Sequence, residues 1–153
     1  CIEKYYGIDA QMLFTKYGGH HPRDEENKIY CSTGSLGLGI TVALGRAVAN
    51  PDKKVFVLVS DGECAEGSVW EALKTIREQN ISNIEVHVNV NGYAAYMEVD
   101  SDYLRERLVS FLPDIKIHYT SVEEFSFLRG MNAHYHIMSE VDYHNGLKEL
   151  ETK

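Results

Sequence analysis

Short apolar runs separated by turn residues punctuate the chain, and the period of each run predicts its element. Val55-Phe56-Val57-Leu58-Val59 is continuous, β-branched and aromatic. That pattern predicts a strand buried on both faces of a parallel sheet. The run ends at Ser60-Asp61-Gly62. Ser68-x-x-Glu71 then reads as a capping box opening a helix whose Val69, Ala72, Leu73 and Ile76 share one face. Ile84 to Val90 is the next strand, ending at Asn91-Gly92, and the three segments make a βαβ unit.

The flanks continue this alternation. Ser32-Thr33-Gly34-Ser35-Leu36-Gly37-Leu38-Gly39 is a glycine-rich turn running into residues 40–49, which are apolar almost all round and mostly small. They predict a buried helix that neighbours approach closely, stopped at Asn50-Pro51. Tyr103 to Phe111 reads as a helix and Ile115 to Tyr119 as a strand. Ser121-x-x-Glu124 caps a short helix ended by Gly130, His134 to Met138 reads as another short strand, and Leu147 to Lys153 as a polar helical tail. Residues 1–30, rich in Tyr, Gly, His and charge, read as an irregular lead-in. The expected class is α/β, a doubly wound, mostly parallel sheet with helices on both faces, formed as a single domain over 1–153.

Composition narrows the partners. With 44% hydrophobic and 25% charged residues in 153, the chain has the balance of one globular domain. Its net charge is −8 and its basic residues form no run, which argues against a nucleic-acid partner. An acidic chain that binds a phosphorylated ligand must instead bring a metal ion and aimed backbone N–H groups. Three cysteines, Cys1, Cys31 and Cys64, lack Cys-x-x-Cys spacing, so a reducing cytoplasm is the expected home. No apolar run reaches membrane-spanning length, so no membrane partner is expected.

In open α/β sheets, ligands bind beyond the carboxyl ends of the strands. Asp61 and Asn91 stand at two such ends and offer a carboxylate and an amide oxygen. Both are hard donors suited to Mg²⁺, with Ca²⁺ or Mn²⁺ as alternatives, and that ion takes the rest of its shell from phosphates and water. Cys64 lies close by, but no base is placed to activate it as a nucleophile. His134 and His136 would alternate across a strand and make a poor metal pair. Trp70 and Ile76 read as core.

Ser60-Asp61-Gly62-Glu63-Cys64-Ala65-Glu66-Gly67-Ser68-Val69-Trp70-Glu71-Ala72, followed by Asn91-Gly92, resembles the thiamine diphosphate fingerprint of transketolases. Gly19-His20-His21-Pro22 with Ser32-Thr33-Gly34-Ser35-Leu36-Gly37 resembles a second block of that family. The resemblance covers residues 18 to about 100. It implies that Asp61 and Asn91 ligate the metal by side chains and Tyr93 by its backbone carbonyl. It further implies that Gly62 lets backbone approach the diphosphate, and that Gly34, Ser35 and Leu36 run beside the aminopyrimidine ring. His21 would face the substrate, a sugar or sugar phosphate, and Glu66 would sit at a subunit interface near the activating carboxylate.

Two departures are visible: Ser60 replaces the family's usual Gly, and Tyr93 stands where a smaller aliphatic residue is common. The family's activating glutamate belongs to a pyrimidine-binding domain that this chain is not. The resemblance therefore implies an N-terminal subunit of a transketolase-like enzyme carrying out two-carbon ketol transfer. Its partner would be a separate C-terminal subunit with that domain, in a hetero-oligomer or homodimer, and the chain alone would be inert. A thiamine diphosphate synthase or decarboxylase subunit, or a non-catalytic scaffold that keeps the fold, are the alternatives.

Overall fold

The computed structural model describes residues 2–121 and 125–151, with the backbone alone at Asn132 and His134. Three parallel strands, β1 (Val55–Ser60), β2 (Ile84–Val90) and β3 (Lys116–Tyr119), lie in the order β1-β2-β3. Val55 pairs with Ile84 and Ser60 with Asn89, so β1 and β2 end level; His87 pairs with Lys116. The class is α/β, as the alternation predicts.

The crossovers are the helices α4 (Gly67–Glu78) and α5 (Ser101–Phe111). Val69, Leu73 and Ile76 of α4 and Leu104 and Leu108 of α5 pack into one cluster with Val57, Val59, Val86, Val88 and Val90. These strand residues alternate, so they belong to one face of the sheet. The helix α3 (Leu38–Ala49) adds Ile40 and Ala43 to the same cluster. Asn83 closes the far end of α3 by donating its amide hydrogens to the carbonyls of Ala47, Asn50 and Lys53 at 2.9–3.1 Å. The Ala47 and Asn50 carbonyls also accept from the Asn50 and Lys53 N–H groups, so Asn83 reinforces the end of the helix and the turn after it.

Four sequence expectations are corrected. First, β1 is not buried on both faces: Phe56 is 63% and Leu58 67% exposed. Second, α3 is buried along one stripe, with Val48 59% exposed, because among the described residues β1 and α4, and to a smaller extent β2, pack on it from one side. Third, the lead-in is not irregular. It holds α1 (Ile2–Tyr6), α2 (Ala10–Tyr17) and a bridge between Asp24 and Ile29. Asp9 caps α2 by accepting from the Met12 N–H at 3.0 Å, and Gly18 ends it at φ 71°. Fourth, His134 to Met138 is no strand: a 3₁₀ turn covers Gly130–Tyr135. The helical tail begins earlier than expected, as α6 (Glu140–Glu151). Ser139 caps it: its hydroxyl accepts from the Asp142 N–H at 3.1 Å, and the Asp142 carboxylate accepts from the Ser139 N–H at 2.9 Å. The short helix expected between Ser121 and Gly130 is not found where the structure describes that stretch: residues 125–129 form a bend and a turn, and 122–124 lie outside the described residues.

Candidate functional site

Asp61 follows β1 directly and is 3% exposed. Its carboxylate is held entirely by backbone. Oδ2 accepts from the N–H groups of Asn91 (2.9 Å) and Gly92 (2.8 Å), and Oδ1 accepts from Gly62 (3.0 Å). A buried carboxylate needs such partners. Their effect is to bind the tip of β1 to the tip of β2. The Asn91 amide oxygen accepts from the Tyr93 N–H at 2.8 Å, folding the following loop back. The loop then closes on itself through Ala94 to Met97 (2.8 Å) and Val99 to Gly92 (2.8 Å).

The oxygens predicted to hold a metal therefore lie at one end of the sheet, on adjacent strand tips. Oδ1 of Asp61 and the amide oxygen of Asn91 each accept one hydrogen bond, which leaves each a lone pair. The Tyr93 carbonyl accepts none from a described residue. Carboxylate, amide and carbonyl oxygens with spare capacity are the donor chemistry that Mg²⁺ prefers. Among the described residues there is no cluster of three or more His, Cys, Asp or Glu that could hold a metal. A set of one carboxylate and two neutral oxygens would leave half of an octahedral shell to phosphate and water.

The turn after Asp61 departs from expectation. Its N–H groups are not aimed outward. Gly62 donates to Asp61, Glu63 to the Ser60 hydroxyl (3.2 Å), Cys64 to the Asp61 carbonyl (3.1 Å) and Ala65 to the Gly62 carbonyl (3.2 Å). Gly62 is in ordinary right-handed geometry, and its missing side chain faces Ala94, whose Cα is 3.5 Å from the place a Cβ would take. The capping box is also displaced. Ser60 and Glu63 make it, with the Glu63 carboxylate accepting from the Ser60 N–H at 3.0 Å. Ser60 thus holds the turn with its hydroxyl. Ser68 instead donates its hydroxyl to the Gly37 carbonyl at 3.3 Å, and no side chain caps α4. The spacing Ser60-x-x-Glu63 carries the same signal in the sequence as Ser68-x-x-Glu71.

The glycine-rich segment lies beside α4. Gly37 adopts φ +77° and is buried, and a Cβ there would stand 2.4 Å from Ser68 Oγ and 2.9 Å from Glu66 Cβ. Gly34 adopts φ +104° against the His20 ring. Ser35 and Leu36 are exposed, as is Glu66 at the start of α4. His21 lies on the lead-in segment, and its backbone carbonyl accepts from the Thr33 N–H at 3.0 Å. It lines a cavity of about 620 Å³ with Leu13, Tyr17, Ile29 and Thr33, and its buried Nδ1 has no hydrogen-bond partner among the described residues.

Cys64 is 4% exposed, and burial, reinforced by Asp61 and Glu63, pushes its thiol up to about 12. A thiol so poorly ionised is no nucleophile at neutral pH. Trp70 is half-buried, donating its indole N–H to the Cys64 carbonyl at 2.8 Å and packing edge-on against Phe111. Ile76 is core. His144 is exposed on α6. No helix among the described residues is long and apolar enough to cross a membrane.

Three parallel strands joined by helical crossovers, with Asp61 and Asn91 at adjacent carboxyl tips, make an α/β domain of the class whose ligands sit at that edge of the sheet. Residues 9–121 match the family described as thiamine pyrophosphate enzyme, C-terminal TPP binding domain, and the chain belongs to that family. One subunit of the apulose-4-phosphate transketolase of Actinobacillus succinogenes is 36% identical over 74 residues, 46% of this chain and 27% of that relative. Transketolase-like protein 2 of Mus musculus is 41% identical over 76 residues, 46% of this chain and 12% of the relative. A 1-deoxy-D-xylulose-5-phosphate synthase of Fusobacterium nucleatum is 42% identical over 59 residues, 39% of this chain and 10% of the relative. The matched stretch thus spans at most 27% of the length of any of these three relatives.

Proposed function

We propose that this domain binds the diphosphate of thiamine diphosphate through a divalent cation, as the N-terminal subunit of a transketolase-like enzyme. The observation that carries the reading is Asp61: a buried carboxylate that joins two strand tips through the Asn91 and Gly92 N–H groups and keeps a lone pair free on Oδ1. Asp61, Asn91 and the Tyr93 carbonyl would hold Mg²⁺, and the metal would carry the diphosphate. That role fits a chain of charge −8 whose turn N–H groups are already used. Gly34, Ser35 and Leu36 would border the aminopyrimidine, His21 the substrate, and Glu66 the partner. When bound, the cofactor supplies a nucleophilic carbon able to carry a two-carbon unit. The protein's part is to orient it.

The apulose-4-phosphate transketolase relative is itself named as one subunit, which supports an enzyme assembled from more than one chain. Its place would be the cytoplasm. The pyrimidine-binding domain would come from a separate polypeptide, and the transferred group from a sugar or sugar phosphate. Calorimetry should show thiamine diphosphate binding that requires Mg²⁺ and strengthens with the partner chain. Asp61→Asn should weaken it at least about tenfold. Absence of Mg²⁺-dependent binding with the partner present would overturn the proposal. The likeness to a synthase favours a second reading, ketol synthesis rather than transfer. Product analysis with ketose donors separates the two.

A further inference from the structure

Glu63 does more than close the turn with Ser60, because its carboxylate also joins two distant segments. Oε2 accepts from the Ser60 N–H at 3.0 Å, and Oε1 accepts from the Gly37 N–H at 3.2 Å, across 26 residues of sequence. The other backbone group of Gly37 is held as well, because its carbonyl accepts from the Ser68 hydroxyl at 3.3 Å. Gly37 is buried in left-handed geometry, so this junction tolerates no side chain. Among the described residues no cation pairs with Glu63. The carboxylate is satisfied by backbone N–H groups, and such charge-assisted bonds are the stronger kind.

We infer that Glu63 is a positioning residue: it clamps the glycine-rich segment 34–37 to the tip of β1, setting the distance between the two halves of the cofactor site. This rests on the reading above, in which Asp61 serves the diphosphate half and Gly34 to Leu36 the aminopyrimidine half. The clamp has a direct consequence. A ligand that spans both halves depends on it, whereas one that occupies the diphosphate half alone does not. Ser60 is the fixed end, anchored by the β1 ladder, and Gly37 is the end that would drift.

The test compares two probes on the full chain with Mg²⁺, in the presence of the pyrimidine-domain partner. One is thiamine diphosphate and the other inorganic pyrophosphate, each measured by calorimetry. Glu63→Ala removes both acceptors and should weaken thiamine diphosphate about tenfold or more. Pyrophosphate binding should change by less than about twofold, since Asp61 and Asn91 are untouched. Glu63→Gln keeps the shape and one acceptor oxygen, so its loss should be intermediate; it also carries the comparison if the alanine variant fails to fold. A parallel loss of both probes, or no loss of thiamine diphosphate, overturns the clamp and leaves the diphosphate site standing. Failure of the unmutated chain to bind either probe overturns the site and the clamp together.

Discussion

At the scale of single residues, the site is built from backbone groups with side chains as ties. Asp61, Ser60, Glu63 and Ser68 each bond to main chain. Gly37 shows how tight the junction is. Gly37→Ala would impose a side chain on a φ of +77° and press it against Ser68 Oγ. Left-handed geometry and overpacking together should destabilise the fold by about 2–3 kcal/mol, read from urea unfolding. Adding Ser68→Ala should recover part of that loss, about 1 kcal/mol, because neighbours that clash are not additive. Strict additivity would show that the clash is not the cause. Which residues stand at the two strand tips was legible in the sequence, but their bonding was not. Ser60-x-x-Glu63 and Ser68-x-x-Glu71 are equally good capping boxes on paper. Only the position of Gly37, brought to Ser68 from 31 residues away, separates them.

At the scale of elements, local rules predicted most of what forms. β2, α4 and α5 follow from period and composition because each buries one continuous stripe. The order of the lead-in escapes a periodicity argument because it comes from caps and bridges rather than from a long apolar stripe. The Asp24–Ile29 bridge is tied to α2 through Asp24. Its Oδ2 accepts from the Tyr17 hydroxyl at 2.6 Å, and Asn27 adds its amide and backbone N–H. Those bonds, Tyr17 first, hold the Asp24 carboxyl down at about 2, below its ordinary 3.8. Since the folded value is the lower one, the stabilisation is present above about pH 4 and is lost as pH falls through 2. Carboxyl titration by NMR should place Asp24 near 2 and show it rising toward 3.8 in Tyr17→Phe. The Asp24 and Ile29 amides, bonded to each other's carbonyls at 2.8 Å, should lose exchange protection across the same range. Protection that persists below about pH 2 would show that the bridge does not depend on this carboxylate.

At the scale of the whole molecule, the described helices α3, α4 and α5 share one core with one face of the sheet. The other face carries Phe56 and Leu58 beside a polar row, Lys54–Glu85–His87–His118, linked by contacts of 2.7–2.9 Å. Replacing Phe56 and Leu58 together by Thr keeps strand preference and removes exposed apolar area. Unfolding free energy should shift by no more than about 0.5 kcal/mol per substitution, the range for surface positions, while light scattering reports less self-association. A larger loss would show these side chains buried in solution. This face marks the division between what the chain's order of residues decides and what folding decides. Periodicity determined that residues 55–59 form a strand, that α4 follows it, and that Asp61 and Asn91 end adjacent strands, because those outcomes depend on neighbours a few positions apart. Tertiary structure decided which apolar faces are covered, which Ser caps which turn, and that Glu63 grips Gly37. Each of those depends on what stands opposite in space, and a hydrophobic pattern records a residue's preference for burial without recording its partner.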